Sequence, residues 1–202
     1  MPRTYSRKRK TKKRNSQRKK KSTIKKVGQF IPNVEFMIRL RDESISGSNP
    51  YKWSTLHTND FAKNKRIVIF SLPGAFTPTC TTSHLPDYEK YYNELCKYGI
   101  DDVYCLSVND AFVMNQWGKH LGIQNVKLLP DGSAEFTKKM GALVKKDNLG
   151  FGKRSWRYAM VVNNGKIEKI FNEKGFSDNC TTDPFKASTV TNMLNYLKTK
   201  KI

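Results

Sequence analysis

No acidic residue occurs among residues 1–27 of this 202-residue chain, a segment that holds 14 Lys or Arg. The other 175 residues carry 24 basic and 17 acidic groups, so most of the +21 net charge belongs to a tail and the body is mildly basic. Long apolar runs are also lacking. That excludes a membrane-spanning helix and leaves the start of the chain without the apolar centre of a secretory signal. Cysteine is sparse, with Cys80, Cys96, Cys105 and Cys180 far apart in sequence. No C-x-x-C pair and no His/Cys cluster at zinc spacing exists, so a paired-thiol exchange motif and a structural zinc site are both excluded. Without a secretory signal such thiols are expected to be reduced, in a soluble, cytoplasmic protein.

What the first segment does contain is charge. RTYSRKRKTKKRNSQRKKKSTIKK is low in complexity and almost free of apolar residues. It cannot bury enough surface to offset the entropy of ordering, so residues 1–26 are expected to be a disordered tail. Its charge suits a solubilising role, or electrostatic contact with nucleic acid or another polyanion, with nuclear, nucleoid or virion association as the matching addresses. Tyr5 is its only aromatic residue, so base stacking adds little and sequence-specific binding is not expected.

The folded body is expected over residues 27–202. VEFMIRL (residues 34–40) reads as a strand, residues 42–50 as a turn-rich loop, and KRIVIFSL (65–72) as a buried β-branched strand. From Thr81 the pattern changes: Leu85, Tyr88, Tyr92 and Leu95 recur at helical spacing, with Gly99 as the stop. VYCLSV (103–108) is a second buried strand, followed by a helix over 110–121, a short strand over 126–129 and a helix through Met140. Strands at 156–162 and 166–171 are joined by Asn163-Asn164-Gly165, a hairpin signal. Val190, Met193, Leu194 and Leu197 make a last helical stripe. That order predicts a thioredoxin-like α/β fold, a mixed central sheet flanked by helices.

Within SLPGAFTPTC (71–80), Cys80 falls where the first buried strand gives way to a helix. A thiol in a first helical turn faces unpaired N–H groups and the positive end of the helix dipole, which favour the reactive thiolate. Positions three away on either side are Thr77 and Ser83, so thioredoxin-type dithiol exchange through a neighbouring cysteine is excluded and a single activated sulfur is left at this position. The alternative, an inert core cysteine, fits poorly with so polar and turn-rich a stretch. One activated sulfur beside a hydroxyl suits a peroxide. Thr77 could hydrogen-bond the substrate, Pro73 could shield the sulfur from water, and a guanidinium from Arg154 or Arg157 could stabilise charge in the transition state.

These residues resemble a known family. Pro73, Thr77 and Cys80 match the P-x-x-x-[TS]-x-x-C signature of peroxiredoxins. PGAFTPTC, SHLP, CLSVNDAFVMNQW, VKLLPDG and GFGKRSWRYAMVV, in that order, resemble the atypical type II (fifth-class) subfamily across residues 24–197. The resemblance implies a thiol peroxidase with Cys80 as the peroxidatic cysteine passing through a sulfenic acid, and with Pro73, Thr77 and Arg157 as its site partners. It implies a homodimer, no bound cofactor, and glutathione with glutaredoxin, or thioredoxin, as external reductant; the GFGKRSWRY stretch is most similar to glutaredoxin-dependent members. Cys105 matches a resolving position of plant-like members, and Cys180 lies near the resolving region of animal members. The residues themselves offer another reading of Cys105, a small apolar core residue in a buried strand.

Two further features carry less. GFGKRS lacks phosphate-loop spacing and precedes a strand instead of a helix. His84, one helical turn beyond Cys80, borders the expected site, and a hydrogen-bonded structural role suits it best. The rival to an enzyme is a polyanion-binding protein whose tail is the working part.

Overall fold

The computed structural model describes residues 23–200. Along the chain its elements are β1 Glu35–Arg41, β2 Tyr51–His57, α1 Thr58–Ala62, β3 Arg66–Leu72, a π-helical turn Cys80–His84, α2 Leu85–Lys90, α3 Tyr92–Lys97, β4 Asp102–Ser107, α4 Ala111–His120, β5 Lys127–Pro130, α5 Glu135–Met140, β6 Leu143–Lys145, β7 Lys153–Ser155, β8 Tyr158–Asn163, β9 Lys166–Asn172 and α6 Val190–Lys198. A short 3₁₀ turn, Asp147–Leu149, sits between β6 and β7.

The central sheet has the order β5-β4-β3-β8-β9. β3, β4 and β5 run parallel, and β8 and β9 add the antiparallel half through the expected hairpin. Side chains alternate across the sheet, so β3 sends Ile67 and Ile69 to one face and Val68, Phe70 and Leu72 to the other. One face packs Phe61 of α1 and Phe136 and Met140 of α5. The opposite face packs Leu85 and Tyr88 of α2, Leu95 of α3, Met114 and Trp117 of α4, and the Val190, Met193, Leu194 and Leu197 stripe of α6. Each large apolar side chain so buried contributes roughly 1.5–3 kcal/mol. This is the thioredoxin-like arrangement with helices on both faces.

Several local features depart from the sequence reading. The stripe from Leu85 to Leu95 spans two helices, not one, because the chain kinks at Tyr91 (φ −99°, ψ 11°). β2 carries polar, half-exposed residues that hide its pattern; it forms because it pairs with β1 as a separate two-stranded ribbon. The expected strand at 156–162 starts two residues late. Lys153–Ser155 pairs with β6 instead, and Trp156 and Arg157 are the joint where the chain passes to the central sheet. Trp156 N–H donates to Ala142 O (2.8 Å) and Glu173 N–H to Arg157 O (3.2 Å), so the joint is fixed on both sides.

Of the segment expected to be a tail, Ile24 packs against the core and Lys25 N–H donates to Met140 O at 3.0 Å. Gly141 permits this approach: at φ +78°, a Cβ there would lie 2.3 Å from Thr23 O. Residues 1–22 of that segment lie outside the described residues. Among the described residues no helix is long and apolar enough to cross a membrane.

Candidate active site

β3 ends at Leu72, and the loop 73–77 turns the chain into helical backbone that begins at Pro78. Pro73 and Gly74 are buried. The loop is tied down by Asn109, whose Oδ1 accepts from Ala75 N–H (3.0 Å) and Ser107 hydroxyl (2.7 Å). Thr77 donates its hydroxyl to Gly74 O at 2.8 Å, and its own carbonyl accepts from Thr81 N–H at 3.0 Å. Phe76 holds φ 61°, a left-handed conformation that costs an L-residue about 1–2 kcal/mol. Strain of this kind persists only where its surroundings fix it.

The helix opens with a π-turn in which Leu85 N–H reaches back to Cys80 O. π-turns recur at functional sites. This one brings Cys80 and His84 to the same guanidinium. Arg157, 1% exposed, donates from Nη1 to Cys80 Sγ at 3.5 Å and lies 3.2 Å from His84 Nδ1 through the same nitrogen. Its Nη2 donates to Asp183 Oδ1 at 2.6 Å. Its Nε is buried with no hydrogen-bond partner among the described residues. Phe185 lies beneath the guanidinium, 5.4 Å from Cζ to ring centre.

A buried sulfur thus has a cation and an N–H donor directed at it, in the cluster that holds Phe70 and Tyr88, with Phe185 against His84 and Arg157. Such a site can stabilise negative charge on sulfur and on an oxygen bound beside it. The structure brings Cys80 and Arg157 together, with Pro73 and Thr77 on the adjoining loop. Arg154, the weaker alternative for the guanidinium, is committed elsewhere: Nη1 to Val108 O (2.7 Å) and Nε to Phe151 O (3.1 Å). A cleft of about 870 Å³ opens beside Arg154 and Asn109, and Cys80 does not line it.

Family resemblance is borne out by comparison with known proteins. Residues 26–184 match the Redoxin family. The chain is 63% identical to a peroxiredoxin of Rhizobium etli, over 83% of this chain and 94% of that one. It is 48% identical to the hybrid peroxiredoxin hyPrx5 of Haemophilus influenzae, over 84% of this chain and 65% of that one. Its fold superposes on that of a Plasmodium falciparum antioxidant protein (1-Cys peroxiredoxin) with a TM-score of 0.80 and 38% identity, covering 87% of this chain and 100% of the other. The chain belongs to the peroxiredoxin family. It is of the type II, Prx5-like kind, and as a peroxiredoxin it is a thiol peroxidase, an oxidoreductase that acts on a peroxide and draws on a redox partner.

The other cysteines of this peroxiredoxin are free thiols in separate surroundings. Cys105 on β4 is fully buried in the same cluster as Cys80, and burial, then the nearby Cys80, pushes its thiol well above the ordinary range. Cys180 packs against the cluster on the opposite face of the sheet. The Thr182 hydroxyl beside it, and then nearby backbone and charge, hold its thiol below the usual value. Cys96 is half-buried on α3.

Sequence reasoning missed Asp183, which sits in a polar loop that no spacing rule links to Arg157. It also assigned His84 only a structural place. The interval from Cys80 to His84, one helical turn, already placed His84 beside the site, and what it could not show was the contact with Arg157.

Proposed function

We propose that this peroxiredoxin reduces hydrogen peroxide and small organic hydroperoxides through Cys80, with Arg157, Thr77 and Pro73 as its site partners. The observation that carries the reading is Arg157 Nη1 at 3.5 Å from the buried Cys80 sulfur. The sulfur attacks one peroxide oxygen, the O–O bond breaks, and its electron pair leaves with the other oxygen, which takes a proton to become water or an alcohol. Cys80 becomes a sulfenic acid. Arg157 Nε, buried and unpartnered, is the donor left for the oxygen that gathers charge. Thr77 has already given its hydrogen to Gly74 O, so its oxygen is free to accept the hydroperoxide O–H. Pro73, buried at the end of β3, has no N–H and keeps water from the sulfur.

The sulfenic acid is then recycled by glutathione with glutaredoxin. One glutathione thiol condenses with it, releasing water, and a glutaredoxin thiol removes the glutathionyl group. Supporting an external thiol are the packing of Cys180 against the far-face cluster, away from Cys80, and the burial that holds the Cys105 thiol well above its ordinary range and so in its unreactive protonated form. The likeness to a 1-Cys peroxiredoxin is in line with this. Thioredoxin is the competing reductant. A reductant panel with mass spectrometry of the oxidised protein tests the choice: a Cys80–glutathione adduct is expected, and a Cys80–Cys105 or Cys80–Cys180 disulfide that forms during turnover would replace it with an internal resolving step.

The protein is proposed to act as a cytoplasmic homodimer. Trp53 and Phe112, in edge contact at 5.4 Å and both about half exposed, are apolar surface for a second copy. A second reading concerns the tail. The family match begins at residue 26, so the 14 basic groups of residues 1–27 lie almost wholly outside it. That segment is proposed to add sequence-independent contact with nucleic acid or another polyanion.

A further inference from the structure

His84 is fully buried, its ring 4.8 Å from Phe70 and 4.7 Å from Phe185 between centres. Its Nε2 lies 3.2 Å from the backbone oxygen of Ser188. A carbonyl only accepts, so Nε2 carries the hydrogen and Nδ1 keeps its lone pair. Arg157 Nη1 only donates, and it faces that lone pair at 3.2 Å. Both neighbours therefore require one tautomer of a neutral ring. Burial, and then the adjacent Arg157 charge, hold its pKa well below the usual histidine value, as that arrangement demands.

The carbonyl that sets the tautomer is itself anchored. Tyr88 hydroxyl donates to the same Ser188 oxygen at 3.1 Å. Ser188 N–H and hydroxyl both donate to Glu173 Oε1 at 2.8 Å, joined by the N–H groups of Lys186 (3.0 Å) and Ala187 (2.8 Å). Four donors on one carboxylate oxygen fix residues 186–188 beneath the ring.

We propose that His84 is a positioning residue for the peroxidase reaction, a neutral acceptor locked in one tautomer that holds Arg157 Nη1 against Cys80 Sγ. The inference rests on the reading that Arg157 assists Cys80. The two hydrogens of Nη1 serve sulfur and imidazole, one each. A neutral acceptor orients the guanidinium without cancelling its charge beside the sulfur. The carboxylate partner, Asp183, sits on the outer nitrogen with a side chain 44% exposed, where water screens it. Losing the inner acceptor frees the guanidinium to turn about its axis and withdraw the donor from sulfur.

Three substitutions separate this role from packing. His84→Asn puts an amide oxygen on the atom that carries Nδ1, keeping an acceptor for Arg157. His84→Gln reaches Ser188 with an amide N–H and leaves no acceptor at the inner position. His84→Phe keeps ring volume and removes both nitrogens. The rate of Cys80 oxidation by hydrogen peroxide and the pH midpoint of Cys80 thiolate absorbance are measured with Cys96, Cys105 and Cys180 replaced by Ser. The charged or titratable groups facing sulfur and ring are Arg157, Cys105, Tyr88 and, through Arg157, Asp183. Only the Cys105 change touches these, and it is common to every sample.

His84→Asn is expected within about threefold of the parent. His84→Phe and His84→Gln are expected about tenfold or more slower, the loss of one hydrogen bond to a charged group, with the midpoint displaced upward and the fold retained. Folded Phe and Gln variants with the parent's rate and midpoint would overturn the proposal, as would an Asn variant that falls as far as they do. If Phe prevents folding, the Asn–Gln contrast decides alone. A Cys80→Ser control run alongside keeps the two claims apart. Turnover surviving in it defeats the reading of the site, whereas a dead control with equal His84 variants defeats only the positioning role.

Discussion

Asp183 reaches from the loop after β9 to hold the guanidinium that touches the Cys80 sulfur, its Oδ1 2.6 Å from Arg157 Nη2. Arg157 is thereby fixed at both ends of its fork, by a carboxylate at the surface and by His84 within. The fork is why lysine cannot stand in for it. An ammonium keeps the charge and loses the planar set of donors that serve Cys80, His84 and Asp183 together.

Arg157→Lys is therefore expected to slow peroxide reduction by roughly ten- to a hundredfold, the equivalent of one hydrogen bond to a charged group. Its circular dichroism should remain that of the wild type. Stopped-flow oxidation of Cys80 checks the rate, and a wild-type rate would remove Arg157 from the site.

Stability should fall on the acid side for a reason traceable to one ring. His84 is held neutral in the folded protein, with its pKa well below the usual value, while in the unfolded chain it titrates near about 6.5. Above that pH the contribution is fully present. As pH drops below it, the unfolded chain binds a proton that the folded chain refuses, and stability declines by up to about 1.4 kcal/mol per unit. Urea unfolding of wild type and His84→Asn between pH 7 and pH 5 isolates the effect, and the variant's curve should be the flatter. Parallel curves would mean that His84 does not titrate on unfolding.

Much of this architecture is legible in the sequence because the central strands are pure signals. KRIVIFSL and VYCLSV are buried on both sides, so composition alone marks them as β3 and β4. Cys80, Thr77 and Pro73 are legible because they fall together within residues 73–80, where β3 gives way to helix. Arg157 was found through motif resemblance, not through periodicity, since it stands at a joint between two sheets where no alternation applies. Asp183 and the Glu173–Ser188 anchor were not legible. They act through tertiary hydrogen bonds spanning 26 residues to Arg157 and 15 to Glu173, and a single sequence encodes no such pairing.

Neither remaining candidate cysteine should be needed for glutaredoxin-supported turnover. Cys180→Ser is expected to match wild type in both activity and stability. Cys105→Ser places a hydroxyl in a fully buried strand, so about 1–3 kcal/mol of stability should be lost while steady-state turnover is kept. Collapse of turnover in either folded variant would identify that residue as a resolving partner.

The tail should be separable from the chemistry. Removal of residues 1–22 spares Ile24 and Lys25, which pack on the body. Peroxide turnover is expected to be unchanged, while affinity for nucleic acid falls and its dependence on salt becomes shallower. Equal nucleic-acid affinity with and without the segment would contradict the tail's proposed role.

The account's main claim is tested most directly by replacing one atom. Cys80→Ser exchanges sulfur for an oxygen that stays protonated at neutral pH, with the rest of the site unchanged. Hydrogen peroxide consumption with glutathione and glutaredoxin should fall to background in the folded variant. Consumption at the wild-type rate would mean that the reactive group is elsewhere.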